Sequence, residues 1–153
     1  MAVRPILFAT DFSAASGPAL RAALEMGRQE GATVLIAHVL EPPVPFAPDG
    51  YVLPQTYDDL AAAQRRGAEE RMRRVLAKAR REGVSARGLL LRGAPHEAIA
   101  RTARGHRASR VVVGTHGRRG FSRLFLGSVA ARVVASAPCP VLVVPAPRGR
   151  RAS

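Results

Sequence analysis

Short runs of consecutive apolar residues alternate along the chain with longer segments whose apolar residues recur at helical spacing. Continuous apolar runs are typical of strands that are buried on both faces of a parallel sheet. We predict five strands, at residues 3–9, 33–39, 86–91, 111–113 and 141–144. The segments between them predict four helices, which begin near Ser16, Asp58, Pro95 and Ser128. Strands that alternate with helices predict an α/β fold with a single open parallel sheet and helices on both faces.

A glycine-containing segment connects strand four to helix four. Gly114 and Gly117 follow the strand, and Gly127 and Ser128 come after nine further residues. Glycine lets backbone N–H groups approach an anion closely, and the first turn of a helix carries unpaired N–H donors and a partial positive charge. Ser128 can cap helix four or donate its hydroxyl to a phosphate oxygen. We call these four residues the glycine frame and predict that they bind phosphate; the alternative is a surface loop in which glycine only makes turns.

Charged side chains lie near the glycine frame in the sequence. Arg118, Arg119 and Arg123 fall within its nine-residue gap, within reach of the same anion. Asp11 follows strand one, and open sheets of this kind bind ligands at the carboxyl ends of their strands. A carboxylate beside phosphates is repelled by them unless it binds a sugar hydroxyl, the edge of adenine or a divalent cation. The alternative role for Asp11 is to cap helix one.

The spacing G-x-x-G, nine residues, G-[ST] resembles the ATP-binding branch of the universal stress protein family. The resemblance extends to ILFATDFS at 6–13, IAHV at 36–39, RGAPHEAI at 92–99 and PCPVLVVP at 138–145. It implies one nucleotide-binding domain over residues 1–146, with strand order 3-2-1-4-5 and ATP as the ligand. In that order strands one and four are neighbours, so Asp11 would lie across the crevice from the glycine frame. The residues that the resemblance implies around the nucleotide are Asp11, Val39, Gly114, Gly117, Gly127, Ser128 and Val129.

The resemblance implies a regulatory nucleotide binder in place of a dedicated enzyme. In this reading Mg²⁺ bridges the phosphates of ATP, and occupancy shifts the loops or a dimer surface. The sequence offers no clear catalytic base, so any ATP hydrolysis or autophosphorylation is expected to be slow. His38 and His116 lie near the predicted crevice without further ligands at metal-binding spacing, so we predict no protein metal site.

Residues 141–144 predict a strand at the edge of the sheet. An unpaired VLVV edge is prone to aggregation. Antiparallel pairing of Val141–Val144 with a second copy would cover the edge and give a closed two-fold homodimer. The family resemblance points to the same arrangement.

The net charge of +13 favours anionic partners such as nucleotides, nucleic acid or phospholipid headgroups without choosing among them. Genomic base composition is another source of an arginine-rich chain. Alternatively, the chain is a basic protein of the same fold that interacts with nucleic acid. Residues 147–153, which we predict to be a disordered tail, would assist this interaction. Six arginines crowd the outer face of helix two, where they contact nucleic acid or remain solvated: Arg65, Arg66, Arg73, Arg74, Arg80 and Arg81.

The remaining features concern the compartment and one connection. Cys139 is the only cysteine, which excludes an intramolecular disulfide and fits a reducing compartment. The first apolar run is too short for a signal peptide, and no run approaches the roughly 20 residues of a bilayer span. We therefore expect a cytoplasmic protein without membrane association. The proline-rich connection at residues 42–54 is expected to cover the edge of the site, contact a partner or be disordered.

Overall fold

The computed structural model describes residues 2–43, 54–115 and 126–146. Strands and helices alternate along these residues, and a 3-10 turn at Ala14–Ser16 precedes the first helix. The strands are β1 (Ile6–Ala9), β2 (Val34–Leu40), β3 (Ala86–Arg92), β4 (Arg110–Gly114) and β5 (Val141–Val144). The helices are α1 (Gly17–Glu30), α2 (Pro54–Arg81), α3 (Pro95–Gly105) and α4 (Ser128–Ser136).

All five strands form one parallel sheet in the order β3-β2-β1-β4-β5, which confirms the predicted fold class and strand order. The central strand is β1, where Phe8 pairs with Ile36 of β2 on one side and Val112 of β4 on the other. The chain winds outward from β1 to β3, then crosses back to β4 and β5. The winding direction therefore reverses between β1 and β4, which is where ligands bind in open parallel sheets.

Each face of the sheet has its own hydrophobic core. Successive side chains of a strand point to opposite faces, so Phe8 packs with α1 and α2 while Leu7 packs with α3 and α4. Ile6, Leu7 and Phe8 are all fully buried or nearly so. Burial on both faces is the reason that the strands are continuous apolar runs.

Two glycines allow the helices of one face to approach the sheet closely. A Cβ on Gly27 of α1 would lie 2.6 Å from Cγ2 of Val34, and a Cβ on Gly88 of β3 would lie 2.7 Å from Cγ of Met72 in α2. Neither contact is possible unless the neighbouring side chain or its element moves. The position of α2 over β3 therefore depends on a residue that carries no side chain.

Two element boundaries differ from the sequence prediction. Strand β1 begins at Ile6 instead of residue 3, because its pairing with β2 and β4 begins there. Helix α2 begins at Pro54, four residues before Asp58. Proline fits the first turn of a helix, where its missing N–H is not needed. Pro54 had been assigned to the proline-rich connection, whose residues 44–53 lie outside the described residues.

Two predicted helix faces were also wrong in part. Helical spacing predicts Leu60 on the inner face of α2, yet this residue is 43% exposed, because the core packing of α2 involves Ala68, Met72 and Ala79. The same spacing predicts an apolar face of α4 at Val129, Val133 and Val134; Val133 is buried, but Val129 and Val134 are 42% and 48% exposed. The packed residues of α4 are instead Ala130 and Val133. Positions five residues apart differ by about 140° around a helix, so Val129 and Val134 cannot share one narrow face.

Strand β5 lies at one edge of the sheet, as the sequence predicts, and pairs only with β4 within the described residues. Cys139 precedes this strand and packs half-buried against the second core. Burial raises the pKa of the Cys139 thiol, while Arg4 nearby lowers it to a smaller extent.

Candidate functional site

A cavity of about 630 Å³ opens at the carboxyl ends of β1, β2 and β4. This volume is in the range of about 300–1,000 Å³ that is common for small-molecule sites. The ends of the three strands line it with Thr10, His38 and Val113 among others, and the start of α4 closes one side. The cavity therefore lies at the reversal of winding between β1 and β4.

Backbone hydrogen bonds draw the two ends of the glycine frame together. The N–H of Gly127 donates to the carbonyl of Thr115 at 2.7 Å, and the N–H of Thr115 donates to the carbonyl of Val144 at 3.1 Å. The residue after β4 is thereby joined both to the start of α4 and to the end of β5. Gly114 and Gly127 both line the cavity as a result, although 12 residues separate them in the sequence.

Helix α4 begins at this point with its N-terminus in the cavity wall. Gly127 is the N-cap, with φ −58° and ψ 153°, and its carbonyl accepts the first helical bond from Ala131 at 2.9 Å. Ser128 is the first helical residue, so it does not cap the helix, because the cap position is one residue earlier. The first-turn N–H groups of α4 have no acceptor within the helix and lie at its positive end. An anion in the cavity could accept hydrogen bonds from these N–H groups and would be stabilised by the positive end of the helix.

Asp11 lies in the cavity wall at the end of β1 and also organises the turn that follows. Its Oδ1 accepts a hydrogen bond from the N–H of Ser13 at 2.9 Å, which makes an Asx-type turn before α1. The two roles that the sequence left open for Asp11, a structural cap and a ligand contact, are therefore compatible. Phe12 in this turn has a φ of 62°, which is rare for a bulky residue.

His38 lies in the same wall, where a hydrogen bond and a ring contact help to fix it. Its Nδ1 lies 2.8 Å from the carbonyl of Thr10, and because a carbonyl only accepts, Nδ1 carries the hydrogen. Its ring stacks on that of Phe12 at a centroid distance of 4.5 Å and an angle of 37°. The histidine thus ties the end of β2 to the turn after β1.

Six of the predicted site residues line the cavity, and four predicted residues lie outside the described residues. The latter are Gly117, Arg118, Arg119 and Arg123, so their roles remain predictions. Those in the cavity wall are Asp11, Val39, Gly114, Gly127, Ser128 and Val129.

Sequence reasoning missed several wall residues that come from other elements. Gln64 and Arg71 reach the cavity from α2, and Pro95 and Ile99 reach it from α3. Glu41, directly after β2, also lies in the wall. No local pattern marks Gln64 or Arg71, because their approach to the site depends on how α2 packs over β2 and β3. Glu41 could have been found from its position at the end of a strand.

The described residues contain neither a cluster of metal ligands nor a membrane-spanning helix. In residues 2–43, 54–115 and 126–146, no three His, Cys, Asp or Glu side chains lie close enough together to hold a metal ion. Along the same residues, every helix is too short or too polar to cross a membrane.

Comparison with known proteins agrees with this architecture. The model of the universal stress protein family matches residues 2–145. A Thermus aquaticus relative, the "Universal stress protein in QAH/OAS sulfhydrylase 3'region", is 38% identical over 144 residues, which cover 92% of this chain and 98% of the relative. A solved universal stress protein from Lactobacillus plantarum superposes with a TM-score of 0.80 at 22% identity, over 94% of this chain and 99% of the other.

A further solved structure, from Archaeoglobus fulgidus, is that of a universal stress protein in complex with dAMP. It superposes with a TM-score of 0.64 at 27% identity, over 94% of this chain and 98% of the other. The family model, the Thermus relative and the shared sheet order all lead to one assignment. The chain belongs to the universal stress protein family.

Proposed function

We propose that the protein binds ATP in the 630 Å³ cavity and acts as a cytoplasmic regulatory protein of the stress response. The observation that carries this proposal is the 2.7 Å bond from Gly127 to Thr115, which brings the glycine frame to the cavity that Asp11 also lines. The dAMP bound by the Archaeoglobus relative supports an adenine nucleotide as the ligand class.

The phosphates would lie at the end of the cavity formed by the start of α4. There the first-turn N–H groups and the hydroxyl of Ser128 would bind phosphate oxygens. Gly114 would allow the chain to approach the phosphates, and we expect Gly117, Arg118, Arg119 and Arg123 to complete the site. Mg²⁺ would be held mainly by the phosphates and water, since this ion usually takes only one or two protein ligands at phosphate sites.

The nucleoside would lie at the opposite end, against the ends of β1 and β2. We place adenine at the backbone of Val39 and a ribose hydroxyl at the carboxylate of Asp11. This orientation separates Asp11 from the phosphates, so the two negative groups do not repel each other strongly. It also gives the carboxylate a donor from the ligand in addition to the N–H of Ser13.

The response to ATP would be conformational instead of chemical. The Nδ1 of His38 donates to the carbonyl of Thr10, and the Oδ1 of Asp11 accepts from the N–H of Ser13. Both side chains therefore stabilise the structure beside the cavity. We therefore expect slow hydrolysis or autophosphorylation at most. Occupancy would shift the loops around the site or the dimer surface next to β5.

We further propose a homodimer through the edge of β5, Val141–Val144. Within the described residues this strand pairs on one side only, with β4, and Leu142 on it is 41% exposed. Antiparallel pairing with a second copy would satisfy the outer backbone groups and cover these side chains. Because Thr115 is bonded to Val144, a change at the glycine frame has a direct route to this edge.

Calorimetric titration with ATP and Mg²⁺ tests the proposal. We expect saturable binding by the intact chain and a loss of about tenfold in affinity for Asp11→Ala, as for loss of one charge-assisted hydrogen bond. Asp59→Ala is the matched control, since Asp59 is an exposed carboxylate of α2 that does not line the cavity. The proposal fails if millimolar nucleotide gives neither heat nor a thermal shift, or if both variants weaken binding equally.

One observation favours nucleic acid as a second candidate. Arg66, Arg73 and Arg80 are exposed, and within the described residues they form no ion pair, whereas Arg65 and Arg74 pair with Glu69 and Glu70. Their spacing of seven residues places them about 10 Å apart along one side of α2. Filter binding across salt tests this function, because truncation after Pro147 should reduce the salt slope. An unchanged salt slope would mean that the basic tail does not contribute to nucleic-acid binding.

A further inference from the structure

A second cavity, of about 360 Å³, lies next to the first on the side of β1 that faces α1 and α2. It lies between the start of α1 and the middle of α2, and it uses none of the glycine frame. Its volume also falls in the range of about 300–1,000 Å³ for small-molecule sites. The proposed function assigns nothing to it.

The lining of this cavity is apolar on one side and polar on the other. Phe8, Phe12, Leu20 and Val75 supply the apolar side and belong to or pack against the first core. The polar side combines hydroxyls with two guanidinium groups, and no described residue that lines the cavity carries a carboxylate. These polar residues are Thr10, Ser13, Ser16, Arg71 and Arg74.

The two arginines differ in what they contact. Arg74 donates to Glu70 at 2.7 Å, so its charge is largely balanced. Arg71 makes no ion pair or hydrogen bond within residues 2–43, 54–115 and 126–146, and it lines both cavities. The second cavity therefore carries an uncompensated positive charge beside an apolar wall.

Ser13 adds an independent indication of a missing partner. Its Oγ is buried and forms no hydrogen bond within the described part of the chain. Buried hydroxyls are nearly always hydrogen-bonded, so each exception asks for an explanation. An acceptor oxygen of a ligand in the cavity that Ser13 lines would provide one.

The turn that holds Ser13 separates the two cavities. Phe12 has the rare φ of 62°, which places its ring in the wall of the smaller cavity and against His38 of the larger one. Backbone strain of this kind persists only where the surroundings impose it. The two cavities share Thr10, Ser16 and Arg71 in their walls.

We propose that the second cavity binds a small amphipathic carboxylate, such as a medium-chain fatty acid. The hydrocarbon tail lies among Phe8, Leu20 and Val75, and the carboxylate is bound by Arg71 and the hydroxyl of Ser13. A guanidinium and a hydroxyl donor match the acceptors of a carboxylate, while the apolar wall rejects a small hydrophilic anion. The site goes beyond the proposed nucleotide function and does not depend on it.

Methyl NMR of the full chain, titrated with octanoate, tests the site. We expect saturable shifts of the Leu20 and Val75 methyl signals, and about tenfold weaker binding for Arg71→Gln, because a charge-assisted bond is lost. Arg81→Gln is the matched control, an exposed arginine of the same helix that lines neither cavity. Octanol serves as the uncharged probe and should bind at least tenfold more weakly than octanoate.

Three results would overturn the proposal. Octanoate shifts that do not saturate or that spread over the whole surface would indicate non-specific association. Equal losses for Arg71→Gln and Arg81→Gln would show that only net charge matters, and equal binding of octanol would show that the carboxylate is not recognised. Gly127 lines the larger cavity alone, so Gly127→Val should weaken ATP binding strongly and leave octanoate binding unchanged; failure of either site is then seen separately.

Discussion

The starts of α1 and α4 make an informative comparison, because each helix follows one of the two strands at the reversal of winding. Neither has a side-chain cap on its backbone N–H groups. Before α1, the N–H of Ser16 donates to the carbonyl of Ser13, and that of Gly17 donates to Ala14. The preceding 3-10 turn thus satisfies these donors within the chain.

Helix α4 has no such turn in the two described residues before it, Leu126 and Gly127. Its N-cap, Gly127, donates across the loop to Thr115, and the next N–H groups point toward the start of the helix with no acceptor inside it. Within the described residues, the two helix N-termini therefore differ in whether other parts of the chain accept hydrogen bonds from the first turn. Under the proposed function, this difference indicates that an anion site requires an unused first turn, and that a helix start near a cavity is not sufficient.

The largest effect should come from the same substitution at the two helix starts. Gly127→Val should weaken ATP binding by about a hundredfold, or about 2.7 kcal/mol, because the side chain would occupy space meant for phosphate. The φ of −58° at Gly127 is open to any residue, so the fold should survive. Gly17→Val, at the start of α1, should leave affinity within about twofold.

Calorimetry of both glycine variants, with circular dichroism as the test of folding, measures this difference. A Gly17→Val variant that loses as much affinity as Gly127→Val would contradict the comparison. So would a Gly127→Val variant that binds ATP normally.

A smaller effect is expected at Ser16, which closes the turn before α1. Its hydroxyl lies 2.8 Å from the carbonyl of Ser13 and 3.0 Å from the hydroxyl of Thr10, and the residue is only 8% exposed. Ser16→Ala should lower the free energy of unfolding by about 1–2 kcal/mol, because a buried hydrogen-bond group loses its partner. Chemical denaturation measures this. Ser16 lines the larger cavity, but its hydroxyl is already bonded to Thr10 and Ser13, so ATP affinity should change by less than about twofold. A stable variant with impaired ATP binding would instead make α1 part of the nucleotide site.

The smallest effect separates the two roles of Asp11. Asp11→Asn keeps an acceptor for the N–H of Ser13, whereas Asp11→Ala removes it. We expect Asp11→Ala to reduce the free energy of unfolding by about 1 kcal/mol and Asp11→Asn by less than about 0.5 kcal/mol. Thermal or urea unfolding of the ligand-free proteins provides the measurement. Equal stability of the two variants would mean that this hydrogen bond does not stabilise the turn.

Much of the fold follows from the sequence alone. The apolar runs at β1, β2 and β4 can be read locally because burial on both faces leaves few polar positions in them, such as His38 near the end of β2. Pro95 and Gly31 mark helix ends for equally local reasons, since one lacks an N–H and the other adopts a φ of 63°. The spacing of the glycine frame likewise needs no tertiary structure to be noticed.

Only the tertiary structure decided which elements meet. Helical periodicity assigned Leu60 and Val129 to the core, yet whether a helix side is covered depends on how far the sheet extends beneath it. Arg71 reaches both cavities because Met72 packs against Gly88, a contact between residues far apart in the chain. The residue pattern of a strand or helix predicts which of its own positions are buried. A cavity is the space between several elements, so the pattern of any single element cannot predict it.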